Sequence, residues 1–156
     1  MNSCAVSAAY FARGGRFDPL ADSDWADNFR VTLDGVFQDM RACTPRMSAG
    51  GAVVNIASVA AMVEMPVKAG YGAAKSAVIG LTRTVAVTLA PRGIRANSLP
   101  PGFATTKAPD DIAGTVAFLA SDDAAFITGA WWSMAGSPRN DVRHPAFLGG
   151  HDGETS

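Results

Sequence analysis

Short apolar runs alternate with longer segments of helical periodicity, and this alternation most limits the folds open to the chain. Ala52–Ala57 and Ile94–Leu99 are apolar runs with β-branched residues, which is typical of parallel strands buried on both faces. Tyr71–Ala90 lies between them with its apolar residues on one helical stripe, and Pro91 and Gly93 end it. This order of strand, helix and strand predicts a parallel α/β sheet with right-handed crossovers.

Two further helices flank this unit. Asp24 is the expected N-cap of a helix that runs to Cys43 and stops before Pro45. A second helix is expected over Asp111–Ser121, and Ala130–Met134 is expected to form a last short strand.

The two ends of the chain are less regular. Residues 1–17 have two alternative interpretations, a turn that follows a strand or a Ser/Ala/Gly-rich loop. Residues 137–156 are polar and without periodicity, which predicts a disordered tail behind a single domain over residues 1–136.

Composition fits one soluble domain. The chain has 156 residues, 48% of them hydrophobic, and a formal net charge of −1, so we expect one core and neither a nucleic-acid nor a membrane partner. No uncharged apolar run reaches the roughly 18 residues of a membrane span. Cys4 and Cys43 lack metal-ligand spacing, and His144 and His151 lie in the polar tail, so no metal site is predicted. Reduced thiols and the lack of a basic leader favour a cytoplasmic protein.

Ser58, Tyr71 and Lys75 are the most informative polar residues. Tyr71 and Lys75 share one face of a helix, where the ammonium is expected to lower the pKa of the phenol toward working pH. Ser58 follows a strand and could donate to a substrate oxygen. Together the three groups suit the interconversion of an alcohol and a carbonyl, with Tyr71 as general acid/base. Taken alone, the Tyr-x-x-x-Lys pattern favours a buried aromatic beside a lysine that reaches solvent.

The surrounding segments resemble the short-chain dehydrogenase/reductase family. Gly50–Ser58 resembles the strand that leads to the family's catalytic serine, and Tyr71–Lys75 resembles its signature helix. Arg92–Gly102 resembles the strand and turn beside the nicotinamide, and Pro109–Gly129 resembles the last helix and the approach to the last strand. Several motifs in the right order are far more specific than any one of them.

The resemblance implies a partial Rossmann-like parallel sheet with flanking helices and an NAD or NADP cofactor. It implies catalytic roles for Ser58, Tyr71 and Lys75. The cofactor-binding residues that it implies are Asn55, Tyr71, Lys75, Pro101, Gly102 and Thr106. For Asn55, a structural polar group at a strand end is the alternative, and for Pro101-Gly102 it is a plain turn.

The chain departs from the family pattern in three places. The glycine-rich strand and turn that hold the pyrophosphate are absent, so we expect three βα units to be missing before Met1 and the resemblance to cover about residues 18–136. Thr32 stands where the family has an asparagine in its proton relay. Only Phe103–Ala108 separates Gly102 from Pro109, so little chain is left to cover a substrate.

Two functions follow from these observations. The first is an NAD(P)-dependent oxidoreductase that interconverts a secondary alcohol and a ketone. The alternative is an inactive truncated remnant that acts through association with related subunits. In either case the resemblance implies a homo-oligomer through the helices that contain Thr32 and Tyr71. Substrate, cofactor type and reaction direction are not specified by the sequence.

Overall fold

Three parallel strands form a sheet in the order β1-β2-β3. They are β1 (Ser3–Val6), β2 (Ala52–Ile56) and β3 (Arg95–Leu99). The structure is a computed structural model that describes residues 3–6, 17, 19–63, 65, 68–102 and 108–134. The predicted parallel α/β sheet is confirmed, and each strand lies within about a residue of its predicted bounds where one was predicted.

The start of the chain is better ordered than its composition indicated. Ser3 pairs with Ala52 and Val6 pairs with Asn55, so this segment is a strand and not the turn or loop expected for it. A run of only four residues carries too little periodicity to be recognised. Its partner β2 is buried on both faces, and this tertiary pairing decides its conformation.

The predicted last strand is present only in part. Residues 130–134 run parallel to β3 and are joined to it by the isolated bridges Ser98–Trp131 and Pro101–Met134. Because side chains alternate between the two faces of a strand, the sequence predicts that one of Trp131 and Trp132 lies in the core and the other at an interface or edge. Their exposures are 49% and 42%, so this prediction is wrong. The predicted tail, residues 137–156, lies outside the described residues.

One long helical stretch precedes β2. It begins as α1 (Asp22–Asn28), widens into a π-helix (Phe29–Asp34) and continues as α2 (Gly35–Cys43). Asp24 is not its N-cap, because the helix starts two residues earlier and Ala21 occupies that position without a side-chain bond. Both Asp22 and Asp24 lie in the first turn, where they suit the helix dipole.

Two helices follow the central strands, α3 (Ala69–Leu89) and α4 (Ala108–Ala120). They cover opposite faces of the sheet. Neighbouring residues of β2 point to opposite sides of the sheet, and each packs against a different helix. Val53 packs in a cluster with residues of α2 and α3. Val54 packs in a second cluster with Leu99 and with residues of α4.

The helix α3 is both long and apolar. Together with its 3₁₀ extension, Ala69–Arg92, it is long enough and apolar enough (mean hydropathy 1.2) to cross a membrane by those two criteria. It is not an uncharged run, because it contains Lys75 and Arg83. Its buried stripe packs on β3 and the π-helix, which is the placement of a core helix.

Candidate active site

The chain segments that follow β2 and β3 meet at one edge of the sheet. Ser58 lies just past β2, and its hydroxyl accepts a hydrogen bond from the Ala60 N–H at 3.2 Å, which starts a 3₁₀ turn. The Val59 N–H donates to the carbonyl of Pro101 at 2.9 Å. This bond ties the serine turn to the turn after β3, at the carboxyl edge where ligands of such sheets bind.

Tyr71 and Lys75 lie below this edge on the first turns of α3. Their exposures are 8% and 1%. Lys75 Nζ donates to the carbonyl of Ile56 at 2.7 Å and lies 5.9 Å from the centroid of the Tyr71 ring. The amine therefore points into the protein beneath the end of β2, and the alternative of a lysine reaching solvent is wrong.

A close approach of two backbones brings α3 under the serine turn. A Cβ atom at Gly72 would lie 2.7 Å from the carbonyl oxygen of Ala60, so the residue after Tyr71 is one without a side chain. The Ser76 hydroxyl adds a bond to the carbonyl of Ala61 at 3.0 Å. These contacts hold Tyr71 and Ser58 close enough for a hydrogen bond between their side chains.

Burial determines the electrostatics of the pair. Loss of hydration raises the pKa of Tyr71 above 10.0, and the hydrogen bond from Ser58 offsets only part of this rise. The expected lowering of this pKa is therefore wrong for this structure. Burial also lowers the pKa of Lys75 from 10.5 to about 8, because a low-dielectric site disfavours the charged amine.

The remaining predicted site residues are placed differently. Asn55 is completely buried, and its Nδ2 donates to Thr82 Oγ1 at 2.8 Å. Pro101 and Gly102 lie at the edge of the sheet beside Ser58, where the Gly102 N–H donates to the carbonyl of Met134 at 2.8 Å. Thr106 lies outside the described residues.

Two buried polar residues near the site were not found from the sequence. Thr82 holds Asn55, and its position seven residues after Lys75, on the same face of α3, is a weak signal for this role. Asn28 ends α1 at 3% exposure. Asn28 lies four residues before Thr32, which is completely buried. This spacing places both residues on one helix face and could have indicated that Asn28 is buried. Among the described residues, no group of three or more potential metal ligands comes together.

Comparisons with known proteins identify the family and similar proteins. Residues 1–112 match the family described as Enoyl-(Acyl carrier protein) reductase. The chain is 36% identical to a 3-oxoacyl-[acyl-carrier-protein] reductase of Staphylococcus aureus, covering 80% of this chain and 61% of that protein. It is 35% identical to a trans-4-hydroxycyclohexanecarboxylate dehydrogenase of Sinomonas cyclohexanicum, covering 90% and 62%. The chain thus spans about three fifths of the length of these relatives. The family match begins at residue 1, so the expectation that the resemblance starts near residue 18 is wrong.

Solved structures show the same fold. A short-chain dehydrogenase/reductase from Serratia marcescens superposes with a TM-score of 0.79 at 31% identity, over 86% of this chain and 66% of the other. A reductase described as catalysing keto-reduction during lugdunomycin biosynthesis superposes with a TM-score of 0.81 at 28% identity, over 87% and 59%.

Proposed function

Because the chain belongs to the short-chain dehydrogenase/reductase family, we propose that it carries the proton-transfer residues of an NAD(P)-dependent oxidoreductase. The reaction would interconvert a secondary alcohol and a ketone. The observation that carries the proposal is the hydrogen bond between Ser58 and Tyr71 at the carboxyl edge of the sheet, with Lys75 buried beneath them. Two of the relatives are named for reduction of an oxo or keto group, which supports this substrate class.

Tyr71 and Ser58 would act on the substrate oxygen. In the reducing direction, the Tyr71 hydroxyl donates its proton to the oxygen of the ketone, and the Ser58 hydroxyl donates a hydrogen bond to the same oxygen. Burial keeps Tyr71 protonated at neutral pH, so the resting residue is ready to act as the acid. Oxidation of the alcohol needs the phenolate, and its rate should therefore increase with pH.

Lys75 would adjust this chemistry from below. Its pKa of about 8 leaves it mostly protonated at neutral pH. A positive charge near the phenol favours the phenolate that remains after proton donation. The bond from Lys75 Nζ to Ile56 fixes that charge against the end of β2.

The described residues fit the nicotinamide end of the cofactor. Tyr71, Lys75 and the Pro101-Gly102 turn meet at one edge of the sheet, where a ribose and a carboxamide would find donors and backbone groups. Nothing in the described residues forms a glycine-rich cradle for a pyrophosphate. When bound, the cofactor would supply or accept the hydride. Asn55 fits a role in holding the strand end better than direct contact, since its amide is bonded to Thr82.

A cofactor titration tests this proposal. The purified chain is titrated with NADH and NADPH, and the fluorescence of Trp25, Trp131 and Trp132 is followed, since these side chains are 42–49% exposed. Saturable binding in the micromolar range, followed by reduction of a ketone that Tyr71→Phe abolishes, is the expected result. No binding at millimolar concentration in a folded sample would reject the proposal for this chain.

The second candidate function is association with related subunits. Phe37 on α2 and Val87 on α3 are 43% and 77% exposed. Apolar side chains on the outer face of a helical layer favour contact with another subunit. Assembly through these helices and a cytoplasmic location belong to the same proposal.

A further inference from the structure

Asn28 is a buried polar residue that the proposed proton transfer does not use. It ends α1, and α1 packs against α3. Its Nδ2 donates to the carbonyl of Asp24 at 2.8 Å, and this bond fixes which atom of the amide is the oxygen. Among the described residues, Asn28 Oδ1 has no hydrogen-bond partner. A buried acceptor in that state is costly, so each such group calls for an explanation.

Gly70 is the point on α3 that Asn28 touches. A Cβ atom at Gly70 would lie 3.0 Å from Asn28 Nδ2 and 3.5 Å from Asn28 Cγ. A glycine at this position therefore leaves room for the amide against the helix. At Gly80, farther along α3, an added Cβ would meet nothing within 4 Å. The two glycines are thus a matched pair, one in contact with Asn28 and one in open space.

We propose that Asn28 is a positioning residue for Tyr71. Its amide seats the first turn of α3 against α1 through Gly70, and this role explains why a costly buried amide occupies the position. Tyr71 is the third residue of α3, so a shift of the first turn moves the phenol relative to Ser58. This proposal rests on the proposed function, because placing the Tyr71 phenol matters only if Tyr71 transfers the proton.

Hydrogen exchange of the full chain, followed by mass spectrometry, tests the positioning without any need for activity. The variants are Asn28→Leu and Gly70→Ala, with Gly80→Ala as the matched control. We expect exchange in peptides over residues 68–75 to accelerate about tenfold in the first two variants, while residues 76–90 keep their protection. The control should not accelerate exchange in either region, and any change should be toward slower exchange. Equal acceleration along all of α3, or no acceleration at residues 68–75, would overturn the proposal.

A double variant and a turnover assay complete the test. Because Asn28→Leu and Gly70→Ala break the same contact, combining them should add little to the larger single effect, and full additivity would overturn the proposal. If Asn28→Leu does not fold, the exchange of residues 68–75 in Gly70→Ala tests the proposal without it. Where the chain reduces a ketone, kcat should fall about tenfold with KM nearly constant. A chain without turnover would reject the proposed function, and the exchange result would still decide the role of Asn28.

Discussion

At the scale of single residues, Lys75 is the clearest case of a charge displaced from water. Its side chain is 1% exposed, and burial lowers its pKa from 10.5 to about 8. Below pH 8 both the folded and the unfolded chain hold this proton, and the folded state carries the cost of burying it. Between about pH 8 and pH 10.5 the folded chain releases the proton first, so the unfolded state binds more protons and stability rises with pH.

We therefore predict that Lys75→Met flattens the pH dependence of stability. In the natural chain this group should raise the free energy of unfolding by at most about 3 kcal/mol across that window. The rise should be absent in the variant. Urea unfolding at several pH values between about 7.5 and 9.5 measures it. This range stays below pH 10, where the raised pKa of Tyr71 makes stability fall again as pH rises.

The control for this experiment is Arg83→Met, which removes an exposed cation from the same helix. It should leave the slope as it is in the natural chain. Equal slopes in the natural chain and in Lys75→Met would show that the buried amine does not titrate as the structure indicates.

The residue scale also shows how far a sequence pattern can be carried. Helical periodicity predicted that Tyr71 and Lys75 share a face, and strand order predicted that Ser58 lies at the carboxyl edge. The direction of the Tyr71 pKa was predicted wrongly, since the pattern shows which charges are near but not how much water is lost. Asn28 was missed for the same reason, because its burial depends on contact with Gly70.

At the scale of elements, Arg95 joins β3 to the end of α4. Its guanidinium is 8% exposed and donates to the carbonyls of Leu119 and Ser121 at 2.8 and 2.9 Å. Both acceptors lie at the C-terminal end of α4, where the helix dipole favours a cation.

Arg95→Met should therefore lower the free energy of unfolding by about 2 kcal/mol, because buried carbonyls lose their donor. Chemical denaturation measures the loss. Arg83→Met is the matched control and should change stability by less than about 0.5 kcal/mol. An equal effect of the two substitutions would mean that Arg95 does not hold α4 in place.

Two glycines of the α3 segment should respond in opposite directions to replacement by alanine. Gly80 lies inside the helix with open space around it, so Gly80→Ala should stabilise the protein by about 0.5–1 kcal/mol. Gly93 follows the helix with φ of 66°, a left-handed conformation that costs alanine about 1–2 kcal/mol. Thermal unfolding of both variants tests the contrast, and a gain in stability from Gly93→Ala would contradict it.

Some element boundaries were predictable from the sequence and others were not. The ends of α3 were predictable because Pro91 and Gly93 stop a helix by local chemistry. The start of α1 was not, since Ala21 offers no capping side chain. The strand β1 was also not predictable, because its pairing with β2 is tertiary.

At the scale of the whole molecule, apolar surface on one helical layer sets the expected behaviour in solution. The layer of α1, α2 and α3 exposes Phe37 and Val87 at 43% and 77%. Within the described residues, β1 pairs on one side only, with β2, and an unpaired strand edge adds to the tendency to associate. We therefore expect a chain that is marginally stable alone and gains stability by association.

Concentration dependence provides the test of this expectation. Since association stabilises the folded state by mass action, the Tm should rise with protein concentration. Sedimentation velocity should show a dimer that Phe37→Glu and Val87→Glu both weaken, each by about tenfold in Kd or more, because a charge is buried at the contact. Phe126→Glu is the control, since Phe126 is fully exposed and follows α4, the helix on the opposite face of the sheet. A monomer with cooperative unfolding at an ordinary temperature, independent of concentration, would contradict the prediction, as would equal weakening by all three substitutions.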